Sequence, residues 1–233
     1  MFPGKADDGA AYERGPQLTV LLGDDFFARI RGKTVVDFGC GEGTDSVEMA
    51  QKGAARVIGL DIREEVLRVA RQKAQAAGVQ TICQFTTSAG ELADIVVCVD
   101  AFEHFNDPEK ILQIMSGLLK PAGEVMVSFG WPWYHPLGGH LFSVFPWAHL
   151  IFSEKALCLW RSEFKTDGAT RFSEVAGGLN QMSIARFERV IESSPLKFAA
   201  LDILPIRKLR WLHNRLTREF TTAVIRCRLV QRA

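Results

Sequence analysis

The sequence predicts an α/β domain built on a doubly wound, mostly parallel sheet of seven strands. Three observations predict it. From Thr34 to Phe129, short apolar runs rich in β-branched residues alternate with segments of helical period. The run Asp94-Ile95-Val96-Val97-Cys98-Val99 is almost continuously apolar, as a parallel strand buried on both faces should be. Residues 33–45, KTVVDFGCGEGTD, read as strand, glycine turn and helix start, the beginning of a crossover unit.

In chain order, residues 1–15 are polar and irregular. A helix is expected from Pro16, its apolar stripe running on through Phe26, Phe27 and Ile30. The first strand, Thr34–Phe38, leads into Gly39-Cys40-Gly41-Glu42-Gly43. A first crossover helix then runs from Thr44 to Lys52 and is closed by Gly53. Strand two is 56–61. A helix from Glu64 to Ala77 stops at Gly78, and strand three spans 80–86. Strand four is followed by Asp100-Ala101-Phe102-Glu103-His104-Phe105 and a helix over 109–119. Lys120-Pro121-Ala122-Gly123 reads as a turn before strand five, 124–129. From Gly130 to about Gly178 the pattern breaks into a stretch rich in aromatics, Pro, Gly and His. A helix over 183–194 and two strands, 197–204 and 219–230, complete the sheet as an antiparallel pair. The segment between them fits either an amphipathic helix or a long hairpin loop. In such a sheet the crossovers are right-handed, and ligands bind at the C-terminal strand ends. Asp37, Gly39, Asp61, Thr87, Ser88 and Asp100 all fall there.

The glycine turn suits a small polar ligand. Glycines let the backbone approach closely, and the helix that follows opens with unpaired N–H groups. Asp61 closes strand two, eighteen residues beyond Gly43, where a carboxylate can accept from both hydroxyls of a ribose. A dinucleotide turn would place a third glycine at Thr44, and Asp37 would repel a pyrophosphate.

At 233 residues, 47% of them apolar and 24% charged, the composition is that of a globular protein with one core and material for a lid. No apolar run reaches membrane-spanning length, and the first fifteen residues lack an apolar signal core, so a cytoplasmic location is expected. The five cysteines are odd in number and form no C-x-x-C pair, which indicates neither a disulfide framework nor a zinc site. The net charge of +1 conceals a basic C-terminus, with eight Lys/Arg and one acid from Arg207 onward. Such a stretch could attract anions, an anionic membrane surface or nucleic acid, although it is more often the solvated face of a hairpin.

VVDFGCGEG, VIGLDI, DIVVCVDAFEHFNDPEKIL and LLKPAGEVMVSF, in that order over residues 34–129, resemble four successive motifs of the class I S-adenosylmethionine-dependent methyltransferases. The resemblance implies a Rossmann-like methyltransferase fold with a lid inserted after strand five. It also implies S-adenosyl-L-methionine as cofactor and S-adenosyl-L-homocysteine as product. Asp37, Gly39, Cys40, Gly41 and Gly43 would wrap the methionine part, while Asp61 and Ile62 would meet the ribose and its surroundings. Thr87 and Ser88 stand where many relatives carry an acid for the adenine, and Asp100 and Ala101 border the sulfonium. On this reading 1–32 is an N-terminal helical segment, 33–129 the cofactor-binding core, 130–178 an acceptor-site lid and 179–233 the last helix and strands.

The expected activity is methyl transfer by in-line displacement to O, N or C of a small apolar or aromatic acceptor. A phenolic acceptor benefits from a general base tuned near neutrality. His135 and His140 are the candidates in the lid and His104 the one after strand four; no metal pattern appears. A nucleic-acid substrate is not expected, because the motif that would hold a flipped base is missing. A lipid or quinone acceptor with peripheral membrane contact, and a non-catalytic cofactor-binding protein, stand as alternatives.

Overall fold

The computed structural model describes residues 17–232 apart from 89, 140, 141, 144, 167 and 175–177. Pro16 and His140 therefore lie outside the described residues. Seven strands form a mixed α/β sheet. The chain divides into two compact units after Val97, inside the fourth strand.

The first unit opens with α1 (Gln17–Leu22) and α2 (Phe26–Ile30). The single N-terminal helix expected from the apolar stripe is two, because Gly23, at φ +108°, breaks it. The stripe itself is buried: Leu18, Leu21, Phe26 and Ile30 are solvent-inaccessible. Then follow β1 (Thr34–Phe38), α3 (Thr44–Gln51), β2 (Arg56–Leu60), α4 (Glu64–Ala76), β3 (Cys83–Thr86) and the start of β4 (Ala93–Val99). Their order is β3-β2-β1-β4, and every pairing is parallel. Gly53 and Gly78, at φ +106° and +71°, stop α3 and α4 where expected. Residues 80–82, expected in strand three, form a turn instead: the Ile82 and Cys83 N–H groups both donate to Val79 O.

The second unit carries the end of β4, α5 (Pro108–Gly117), β5 (Leu119–Gly130), α6 (Ala148–Ile151), α7 (Glu154–Ser162), α8 (Ile184–Glu192), β6 (Leu196–Pro205), α9 (Arg218–Thr221) and β7 (Thr222–Gln231). Strands run β5-β7-β6 and pair antiparallel. Extended structure begins at Leu119, ahead of the expected 124, with the 120–123 turn surviving as a left-handed Ala122 at φ +63°. Residues 219–221, expected as the start of the last strand, belong to a helical turn, Arg218–Thr221, whose Glu219 accepts from the Ile184 and Ala185 N–H groups and so caps α8. The segment between the last strands resolves as a 3₁₀ stretch, Arg207–Leu212. Phe102, Phe129 and Phe187 meet at ring distances of 5.1–6.0 Å and form the aromatic centre of this unit's core.

The expected lid has a small core of its own. Phe142, Ala148, Leu157, Cys158, Phe172 and Leu179 are buried together, with Trp133 against them. Several aromatics that the sequence offers to an acceptor are therefore spent on holding the segment together. Among the described residues, no helix is long and apolar enough to cross a membrane.

Candidate active site

The glycine turn is built as its composition demands. Gly39, Gly41 and Gly43 take φ of +83°, +50° and +72°, a backbone that L side chains rarely adopt. The Gly39 and Cys40 N–H groups both donate to Leu60 O, at 2.8 and 2.9 Å, which ties the turn to the end of β2. A Cβ on Gly41 would meet nothing within 4 Å, so the tip of the turn faces open space.

Beneath the turn lies a residue that sequence reasoning missed. The Phe85 ring from β3 crosses Gly59, where a Cβ would stand 2.5 Å from it, and reaches under Gly43, where a Cβ would stand 2.7 Å from it. Register places Gly59 between Asp37 and Phe85, so only glycine leaves room for the ring that floors the turn. Gly59→Ala should therefore cost about 1–3 kcal/mol of stability by overpacking. Chemical denaturation checks this, and an unchanged midpoint would remove the ring from its supporting role.

Asp37 is buried, and Ser46 Oγ donates to its Oδ2 at 2.5 Å. Burial first, then the Asp45 carboxylate, push its pKa up to about 7; the Ser46 bond opposes them and Asp61 adds a smaller push. Burial, then the Asp37 and Asp61 carboxylates, drive the Cys40 thiol pKa up, which disfavours the thiolate.

Asp61 sits at the strand tip as expected, and both its oxygens are engaged. Oδ2 accepts from the Gly41 N–H at 3.0 Å and Oδ1 from the Arg63 N–H at 3.0 Å. The Arg63 guanidinium adds two contacts, at 3.0 and 3.1 Å. Burial raises this carboxyl's pKa, but the Arg63 contacts and the Gly41 N–H outweigh it and hold it below the ordinary range. The Asp61 side chain is 6% exposed and that of Arg63 53%, so the guanidinium covers the carboxylate from the solvent side. Ile62, beside them, is 90% exposed, an apolar face next to the carboxylate. Thr86 pairs with Leu60 across the strands, and its Oγ1 accepts from the Ser88 N–H, leaving Thr87 and Ser88 exposed just past β3.

In the second unit, Asp100 takes φ +46° just past β4, and its N–H donates to Ser128 O at 2.9 Å. Ala101 leads into a 3₁₀ turn, Phe102–His104. Asn180 clamps that turn: its side-chain NH₂ donates to Phe102 O and Phe105 O, both at 2.9 Å, and its backbone N–H to Glu103 O. The Glu103 side chain is buried, and its Oε2 has no hydrogen-bond partner among the described residues. Burial first, then the Asp100 carboxylate, raise its pKa to about 8, partly opposed by a backbone N–H. Sequence reasoning passed over Glu103 because a Glu-His pair after a strand reads as a solvated loop.

The histidines separate by their hydrogen bonds. His104 Nδ1 lies 2.8 Å from Gly178 O and must carry the proton there, so Nε2 holds the lone pair of the neutral ring; it stands 3.9 Å from Glu103 Oε1. His135 is buried and stacks on Trp131, and its Nδ1 accepts from the Leu137 N–H, which leaves the neutral ring's proton on Nε2. His149 accepts from the Gly139 N–H and donates to Trp133 O, so both nitrogens bind backbone of the segment that follows β5. Burial lowers its pKa, with the Trp133 carbonyl opposing. Among the described residues no cluster of His, Cys, Asp or Glu could hold a metal ion.

A family profile described as "Methyltransferase domain" matches residues 30–158, more than half of the chain. A ubiquinone biosynthesis O-methyltransferase from Cronobacter sakazakii is 40% identical over 103 residues, 42% of this chain and 42% of that protein. The match thus spans less than half the length of that relative. The magnesium protoporphyrin IX methyltransferase of Synechocystis PCC 6803, solved with bound SAH, superposes with a TM-score of 0.57 at 20% identity, over 90% of this chain and 81% of that one. The cyclase SpnF superposes with a TM-score of 0.59 at 11% identity, over 89% and 79%. Likeness at such identities establishes the fold alone, which the doubly wound sheet already indicates. The glycine turn, its strand-tip acid and the profile match across both agree that this chain belongs to the methyltransferase domain family.

Proposed function

We propose that this chain transfers the methyl group of S-adenosylmethionine to a hydroxyl oxygen of a small apolar or aromatic acceptor. The cofactor fits the residues present: a turn open at Gly41, a buried carboxyl at Asp37 and a strand-tip acid at Asp61. Bound there, it would supply a methyl group already activated by its sulfonium. Asp37 and the glycines would hold the methionine part. Asp61 would exchange the Arg63 guanidinium for the ribose hydroxyls, with Ile62, Thr87 and Ser88 beside it. Asp100 and Ala101 would border the reacting centre.

The observation that carries the choice of oxygen is Glu103. A buried carboxyl with an unpartnered oxygen and a pKa near 8 suits removal of a hydroxyl proton, which an amine acceptor does not require. His104, with its lone pair toward Glu103, would receive or share that proton. His135 and His140 remain proposals for the lid's part in the site, although His135 spends its lone pair on its own turn. The name of the Cronobacter relative points to an oxygen acceptor as well. A methyl-transfer assay over phenols, catechols, amines and RNA tests the reading. Turnover of a phenol or catechol is expected, whereas turnover only of amines or RNA would overturn it.

Asp61→Ala should weaken cofactor binding by about 1–3 kcal/mol through lost hydrogen bonds to a charged acceptor. Arg63→Ala should leave it unchanged or tighten it, since the competing guanidinium is gone. Calorimetry checks both, and an equal loss in the two variants would contradict the exchange.

A further inference from the structure

The basic C-terminal segment is ordered, outward-facing and apolar at its tip. Between Asp202 and Glu219 there is no acid and there are five Lys/Arg. Arg218 is taken by Glu188 through two bonds, at 2.9 and 2.7 Å, and Glu219 is taken by the start of α8. Arg207, Lys208, Arg210 and Arg215 are exposed, and none makes an ion pair among the described residues. Among them Trp211 is 80% and Leu216 91% exposed, with Leu212 and Phe220 also outside.

This is no floppy tail that leaves its apolar groups out by default. Asn214 Oδ1 accepts from the Leu216 and Thr217 N–H groups, and the Asn214 N–H donates to Thr217 Oγ1 at 3.1 Å. Thr217 Oγ1 bonds Leu212 O, His213 Nδ1 sits 2.8 Å from Thr221 Oγ1, and the Ile206 N–H donates to Thr221 O. A pinned loop that holds Trp and Leu in water pays a standing hydrophobic cost. Cations around an exposed Trp and Leu are the pattern that enters the headgroup boundary of a bilayer, with the rings and alkyl chains inserted and the cations on lipid phosphates. The Phe220 ring packs at 5.3 Å on Tyr134, the start of the lid, so the loop is continuous with that segment.

We propose that residues 207–216 dock the protein on an anionic lipid surface, with Trp211 and Leu216 inserted and Arg207, Lys208, Arg210 and Arg215 on the headgroups. The segment lies outside residues 30–158, which the family profile matches. The proposal goes beyond the methyltransferase reading and is tested without it: co-sedimentation of the cofactor-free chain with phosphatidylglycerol–phosphatidylcholine vesicles and with phosphatidylcholine alone. Partitioning should be at least tenfold stronger on the anionic vesicles at low salt and fall steeply as salt rises. Trp211→Ser with Leu216→Ser should abolish it. Arg207→Gln with Lys208→Gln and Arg210→Gln should weaken it by roughly fivefold for each charge removed. Circular dichroism and S-adenosylmethionine affinity should stay at wild-type values in both variants. Equal binding to the two vesicle types, or binding unaltered by either variant, would overturn the proposal. So would a dimer in sedimentation velocity that the Trp211→Ser, Leu216→Ser variant dissolves, or retention on RNA in place of vesicles.

Discussion

Asp37→Asn is expected to make the ligand-free chain more stable at pH 8, by an amount on the order of 2–4 kcal/mol. Its folded pKa is raised to about 7 from an ordinary 3.8. Between those values the native state holds a proton that the unfolded chain has released, so stability falls as pH rises. The contribution is fully present below the ordinary value and lost as pH climbs through 7. Asparagine keeps an acceptor for Ser46 Oγ and removes the ionisation. Chemical denaturation at pH 5 and pH 8 should show the wild type losing ground relative to the variant, and parallel curves would contradict the buried charge. The same variant should bind S-adenosylmethionine less well. In the wild type a cationic ligand selects the ionised carboxylate, so affinity should rise from pH 6 to pH 8 and then level off. That slope should be missing in the asparagine variant. Instability of the empty site and affinity for the cofactor then share one origin, a carboxylate placed where only a cation offsets its burial.

Glu103→Gln should lower turnover by about 10²–10⁴-fold, the usual worth of a positioned general base, and leave cofactor affinity nearly intact. Glutamine matches the shape and needs no charge in a buried place, so the fold should hold. In the wild type the rate should increase with pH through about 8, as the carboxyl releases its proton, and the variant should lose that limb. Turnover within about threefold of wild type would remove Glu103 from the chemistry and return the question to the histidines.

Much of the scaffold is legible in the residues because its signals are local. Gly53 and Gly78 end their helices where a left-handed residue is required, and the alternation from Thr34 to Phe129 is that of a crossover fold. Asp37 and the glycines are legible because they follow one another along a single turn, and Asp61 because the second apolar run ends on it. What stays hidden depends on partners distant in sequence. Phe85 reads as one more strand aromatic until the backbone lays it across Gly59 and Gly43. Glu103 reads as polar surface until Asn180, far along the chain, fixes its turn. His149 carries no local sign that both its nitrogens are held by backbone at Trp133 and Gly139. The Asp61–Arg63 pair lies only two residues apart, yet nothing in the sequence says that the arginine folds back onto its neighbour. Asp100 and Trp131 adopt positive φ at strand ends, where no glycine announces it.

Titration calorimetry of the purified chain with S-adenosylmethionine, and separately with NAD, tests the central claim most directly. The account predicts saturable heat at one site for S-adenosylmethionine, weakened by Asp61→Ala, and none for NAD. Heat from NAD alone would contradict it.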